Sequence, residues 1–306
     1  METKITVLLS SYNGEAYIKE QLDSILNQEQ VVVSVLIRDD GSTDKTIEIL
    51  EDYEKRYNNI NVLRGKNLGV IQSFFELVCE ADSQSEYIAF SDQDDVWLPD
   101  KLYRAVSKLK SHENEDKKLP LVYCSNKQLV DISLQPLPSA ITYAHVKTEF
   151  GNALVENMCT GCTCVINRDM LQLLQGRRPD FTVMHDFWFY LVGTCFGKVI
   201  YDEESRILYR QHGGNELGAA SSLLENYKRR FRYYKKHRGQ LTRQAKEFIR
   251  LYGEMLPKEN RMLAESMVKA KENYKIRYQL LKEGKIFRQR KSDDFIFRIL
   301  LATGKI

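Results

Sequence analysis

The chain has 306 residues, of which 43% are hydrophobic and 28% charged, with a formal net charge of +3. This length supports one large domain with an appendage, or two small ones, and ample material for a buried core. No run approaches the ~18 apolar residues of a membrane-spanning helix, and the opening METKITVLLSSYN lacks the basic start and small-residue cleavage site of a signal peptide.

Short β-branched runs alternate with amphipathic patterns through the first hundred residues. ITVLL (5–9) predicts a strand, and the apolar spacing of Ile18, Leu22, Ile25 and Leu26 predicts a helix after it. VVVSVLI (31–37) is a second strand, followed by the turn DDGSTD and a helix carrying Ile47 and Leu50. INVLR (60–64) is a third strand, with a helix over 70–80, and YIAF (87–90) is a fourth. Continuous apolar strands alternating with helices predict an α/β domain, a mostly parallel sheet covered on both faces. Ligands of such sheets sit beyond the carboxyl ends of the strands. There Ser10-Ser11-Tyr12-Asn13, Asp39-Asp40-Gly41-Ser42 and Asp92-Gln93-Asp94-Asp95 converge.

The stretch SDQDDVW (91–97) places three aspartates within four positions at the end of an apolar strand. Carboxylates so close repel, and a cation or a hydrogen-bonded ligand must compensate them. A hard divalent cation, with phosphate oxygens completing its shell, would do so and would stabilise a diphosphate leaving group. Cys159, Cys162 and Cys164 form a CxxCxC cluster without a second ligand pair, so packed thiols in a strand are expected rather than zinc. Cysteine usage also lacks the pattern of a secreted scaffold, which places the chain in the cytoplasm.

SSYNG (10–14), RDDGSTDKT (38–46), KNLGV (66–70), SDQDDVWLPDKL (91–102), TGCT (160–163), HDFW (185–188) and YRQHGGN (209–215), in this order and spacing, resemble the inverting glycosyltransferases of family 2, which have the GT-A fold. The forms SDQDDVW, HDFW and YRQHGG are most similar to bacterial rhamnosyltransferases of cell-wall and surface polysaccharide synthesis. The resemblance implies that Asp40 and Ser10 contact the donor base, with Tyr12 and Asn13 in the same nucleotide-sugar loop and Asn67 and Gly69 in a third. It places Asp92 near the ribose, Asp94 on Mg²⁺ or Mn²⁺, Asp95 toward the sugar, and Gly161 and Cys162 on the acceptor side of the sugar pocket. Asp186 matches the catalytic base and His212 the late histidine that completes the metal shell, with Gly213 and Gly214 letting that segment fold over bound donor. Trp97 and Pro99 are read as packing residues that fix the acidic loop. Read without the family, DDGSTD is equally a turn that caps a helix, Asn67 and Gly69 a left-handed turn, Gly161–Thr163 a tightly packed strand and Asp186 an N-cap.

The resemblance implies transfer of a sugar, L-rhamnose from dTDP-rhamnose, to a lipid-linked glycan. The competing readings are a UDP-hexose-dependent relative, a silent nucleotide-sugar-binding scaffold and a nucleotidyltransferase. The last lacks its Lys-containing Gly-rich loop near the N-terminus.

Residues 1–218 are expected to form the catalytic domain and 219–306 a basic helical extension. From Ser221 to Ile306 there are 23 Lys and Arg against nine Asp and Glu, leaving 22 against 33 in residues 1–220. Leu224, Tyr227, Phe231 and Tyr234 keep a helical stripe amid this charge, and the chain ends FIFRILLATGKI. No nucleic-acid module is recognisable. The tail reads as a solvated helical face or as a peripheral contact with the inner membrane leaflet, the latter suiting a lipid-anchored acceptor.

Overall fold

The computed structural model describes residues 2–113, 118–138, 143, 145–212 and 239–306. The alternation read from the sequence is present: β1 (Thr3–Ser11), α1 (Ile18–Leu26), β2 (Val31–Asp39), α2 (Thr46–Arg56), β3 (Ile60–Arg64), α3 (Val70–Glu80) and β4 (Tyr87–Ser91). Side chains of a strand point alternately to its two faces. Ile5, Val7 and Leu9 of β1 and Tyr87 and Ala89 of β4 therefore join the core that α1, α2 and the later α4 cover. Leu8, Ile88 and Phe90 face the opposite core, against α3 and the later α7.

The chain continues through β5 (Val96–Trp97), α4 (Lys101–Lys110), β6 (Leu121–Ser125), β7 (Gln128–Val130), α5 (Phe150–Ala153), a 3-10 turn (Gly161–Thr163), β8 (Val165–Asn167), α6 (Arg168–Leu174), α7 (His185–Phe196), β9 (Lys198–Asp202) and β10 (Ile207–Arg210). The main sheet has seven strands in the order β3-β2-β1-β4-β8-β6-β9. All neighbours are parallel except β8, which runs antiparallel to both β4 and β6. Strand order reverses direction at β1 and β4, so the crevice beyond their carboxyl ends is the switch point where ligands of such sheets bind. A three-stranded sheet, β5-β10-β7, lies over that end and joins the loop after β4 to the segment that carries His212.

Cys159, Cys162 and Cys164 are buried and free, as expected of packed thiols. The structural setting differs in detail: Cys162 sits in the 3-10 turn and Cys164 just ahead of β8, not within a strand.

Four helices end the chain: α8 (Gln240–Tyr252), α9 (Lys258–Ala270), α10 (Tyr274–Glu283) and α11 (Lys291–Ala302). They share a core with the sheet layer. Trp188 of α7 meets Phe248 of α8 edge-on at 5.7 Å, and Phe196 packs on Tyr252 at 5.3 Å. Asn152 donates to the Phe287 carbonyl at 3.1 Å, and the Gln289 amide donates to Glu156 at 2.7 Å. Within FIFRILLATGKI, Phe297, Leu301 and Ile306 are buried in this same cluster. That half of the terminal segment is thus structural, whereas Phe295 and Ile299 face outward. The stripe at Leu224, Tyr227, Phe231 and Tyr234, the glycines Gly213 and Gly214, and the boundary expected at residue 218 lie outside the described residues.

Candidate active site

At the end of β2 the turn 39–42 is built by its own aspartates. Asp39 Oδ2 accepts the amides of Gly41 and Ser42 at 3.1 and 3.0 Å, and Gly41 takes φ +82°, a conformation costly for any residue with a Cβ. Asp40 is buried and fully engaged: it is paired with Arg38 and accepts the amides of Leu68 and Gly69, both at 2.8 Å. It therefore fixes the loop carrying Asn67 and Gly69, both of which are exposed. Gly69 has φ +79° and open space around it, so backbone conformation is what selects glycine there. Arg38 also donates to Ser73 Oγ at 3.2 Å, which in turn is 2.7 Å from Ser10 Oγ.

The β1 loop is tied to its neighbours on both sides. Asn13, at φ 49°, accepts the Thr43 amide at 2.8 Å. Gln93 of the acidic loop accepts from Ser11 Oγ and the Tyr12 amide at 3.0 and 2.8 Å and donates to the Tyr12 carbonyl at 3.0 Å. A Cβ on Gly14 would collide with Gln93, which explains the glycine of SSYNG. Tyr12 itself is exposed. Trp97, donating its amide to Ser24 Oγ at 3.1 Å, is buried, while Pro99 is exposed and accepts the Glu29 amide at 2.9 Å.

The three aspartates take different places. His212 Nε2 is 2.6 Å from Asp94 Oδ2, and its ring stacks on Tyr17 at 5.2 Å. Asp92 is half-buried, and burial pushes its carboxyl well above the ordinary range, helped by the charges of Asp95, Asp94 and Asp186. Asp95 turns inward. It accepts the Arg210 amide at 3.2 Å and lies beside the Cys162 thiol, and burial raises its pKa to about 7. Its Oδ2 is buried without a hydrogen-bond partner among the described residues. Arg210 binds the Asp94 carbonyl at 2.9 Å and the Ile132 carbonyl at 2.7 Å and pairs with Glu20, so it clamps the acidic loop from the small sheet.

These groups fit a hard divalent cation. Oxygen donors dominate, a carboxylate oxygen is left unsatisfied, and like charges crowd the loop. The atoms of Asp92, Asp95 and Cys162 also lie within 4.8 Å of one another. Burial holds the Cys162 thiol protonated, however, which makes it a poor ligand for such an ion.

Asp186 lies in the first turn of α7, where Met184, not Asp186, is the N-cap. Its Oδ2 accepts the Gly161 amide at 2.9 Å and its Oδ1 the Phe187 amide at 2.7 Å. Burial raises its pKa to about 6, opposed by those two amides and by the charge of Lys127. His185 is buried, stacked on Phe74 at 4.0 Å, and burial lowers its pKa to about 3. It is therefore a neutral group, and a Cβ on Gly161 would press on its Nε2 at 2.8 Å.

Arg38, Gln93, Arg210 and Lys127 were not singled out from the sequence. The first three stand inside the motifs RDDGS, SDQDD and YRQHGG, which was the available signal. Lys127 had none: it follows β6, donates to Thr160 Oγ1 at 3.1 Å and lies over the Tyr209 ring at 4.3 Å. Its charge favours the ionised forms of Asp92, Asp95 and Asp186 together, so the acidic loop and Asp186 lie near one cation.

The mostly parallel seven-stranded sheet with an acidic loop at its strand ends is the GT-A fold of glycosyltransferases. The Glycosyl transferase family 2 model matches residues 6–174. The chain is 31% identical over 243 residues to dTDP-rhamnosyl transferase RfbG of Shigella flexneri, covering 74% of this chain and 81% of that one. It is 27% identical over 227 residues to an uncharacterized glycosyltransferase of Nostoc sp., alr2836, covering 72% and 69%. Staphylococcus aureus TarS 1-349 in complex with UDP-GlcNAc shares the fold with a TM-score of 0.56 at 14% identity, over 98% of this chain and 91% of that one. Mannosyltransferase PcManGT from Pyrobaculum calidifontis, in complex with GDP-Man and Mn²⁺, gives 0.51 at 16%, over 98% and 84%. The chain belongs to glycosyltransferase family 2.

Proposed function

We propose that the chain is an inverting rhamnosyltransferase that moves L-rhamnose from dTDP-rhamnose to a lipid-linked glycan at the cytoplasmic face of the membrane. The donor follows from the similarity to RfbG of Shigella flexneri. The observation that carries the chemistry is the pairing of Asp94 with His212 in a loop where the charges of Asp94 and Asp186 both act on Asp92.

Inversion is a single displacement, in which the acceptor hydroxyl attacks from the face opposite the diphosphate and loses its proton as it does so. Asp186 takes that proton. Each of its oxygens accepts one backbone amide, which fixes the carboxylate plane and leaves a lone pair on each for the acceptor. A pKa of about 6 leaves it mostly ionised near neutrality and a better base than a solvated aspartate. His185 and Gly161 pack beside Asp186 as neutral groups. Asp94 and His212 would hold Mg²⁺ or Mn²⁺, which supplies charge neutralisation to the leaving diphosphate. Ser10, Asp40 and the loop of Asn67 and Gly69 bound the nucleotide side.

Hydrolysis of a nucleotide-sugar panel by the purified protein tests the donor. dTDP-rhamnose should be turned over fastest. Preference for a UDP-hexose would keep the family and overturn the rhamnose assignment, and binding without turnover of any donor would favour a silent scaffold.

A further inference from the structure

The helix α11 is apolar on two sides. Phe297 and Leu301 are buried in the shared core, whereas Phe295 and Ile299, one turn apart, are 66% and 49% exposed. A helix that is hydrophobic beyond its core-facing stripe ordinarily has a second partner. On α10, which packs against α11, Tyr274 and Tyr278 form another one-turn row at 67% and 69% exposure. Lysines punctuate both rows: Lys275 and Lys282 are exposed on α10, and Lys291 lies one turn before Phe295. From Lys271 to Ile306 there are ten Lys and Arg against four Asp and Glu, and Asp294 is already paired with Arg298.

We infer that the outward faces of α10 and α11 form a docking surface for an anionic lipid bilayer, with Phe295, Ile299, Tyr274 and Tyr278 entering the headgroup boundary. This rests on the peripheral-membrane part of the function proposed above and names the residues that serve it. The occupant is chosen by charge. A second copy of the chain seated on the same face would oppose one basic rim to another, while an anionic leaflet complements it. Aromatic rings interleaved with lysines are the composition of an interfacial helix, apolar bodies sinking while cations stay at the phosphate level. No helix among the described residues is long and apolar enough to cross a membrane, so contact by these helices would be superficial.

The test is co-sedimentation of the full chain with vesicles of phosphatidylglycerol and phosphatidylcholine in equal parts, and with phosphatidylcholine alone. The native chain should bind the anionic vesicles and be released as salt rises. Phe295→Ser combined with Ile299→Ser should lower that binding about tenfold, with melting temperature and donor hydrolysis unchanged because both side chains are exposed. Lys275→Glu with Lys291→Glu should do the same through charge alone. If the native chain binds and both double variants bind equally well, the membrane reading stands and this surface is wrong. If the native chain does not bind anionic vesicles at all, the membrane reading itself fails. A dimer in solution that Phe295→Ser and Ile299→Ser dissociate would assign the face to a second copy and overturn the proposal.

Discussion

His212 Nε2 lies 2.6 Å from Asp94 Oδ2, joining residues 118 positions apart in the chain. The contact is made possible by the pairing of β10 with β5, which lays the segment after Arg210 against the loop after β4. Two residues read separately as cation ligands are thus neighbours in the fold, with Tyr17 stacked on the imidazole to hold its plane.

If these two residues hold the cation, Asp94→Ala should abolish donor turnover and His212→Ala should reduce it and raise the Mn²⁺ concentration needed. Loss of charge stabilisation at the leaving group is a kcat effect of ~10²-fold or more. Titration of activity with Mg²⁺ and Mn²⁺ in each variant checks this. Full native activity in excess chelator would contradict it.

Asp186 must be ionised to accept a proton, so kcat/KM should fall as pH drops below about 6, the value to which burial raises this group. Lys127 opposes that rise. Lys127→Met should therefore move the acid limb of the pH profile to higher pH, and Lys127→Arg should largely restore it. Identical limbs in the native and Met forms would leave Lys127 without an electrostatic role.

The C-terminal helices should unfold with the sheet rather than separately, because Trp188 and Phe248 bury one another. Trp188→Ala and Phe248→Ala should each cost about 3–5 kcal/mol in denaturant unfolding, in a single transition. Truncation before Phe295 removes Phe297, Leu301 and Ile306 from the same core and should destabilise the catalytic half as well. Two separate transitions, or a truncated chain as stable as the native one, would contradict the shared core.

The parallel half of the sheet was legible because β1 to β4 are continuous apolar runs and each intervening helix carries its own period. The 3-10 turn, β8 and β5 were not: each is two or three residues long, too short for a period, and β8 is an antiparallel insertion that only its partners β4 and β6 define. Motif residues could be placed at the strand ends from spacing alone. What spacing could not show is which carboxylates are already paired. Asp40 is occupied by Arg38 and by amides 28 and 29 residues away, and Gln93 by the β1 loop 81 residues away. Asp95 turns in toward Cys162 while Asp94 meets His212, a split set by the Arg210 clamp and invisible in the string SDQDD.

The central claim is that Asp186 is the base of an inverting sugar transfer, and Asp186→Asn tests it most directly. The amide keeps the size of the side chain and cannot take the acceptor proton. Transfer by the folded variant should fall by about 10²-fold or more, while donor affinity, measured by calorimetry with dTDP-rhamnose, stays near that of the native enzyme. A folded Asp186→Asn protein that transfers at close to the native rate would contradict the assignment.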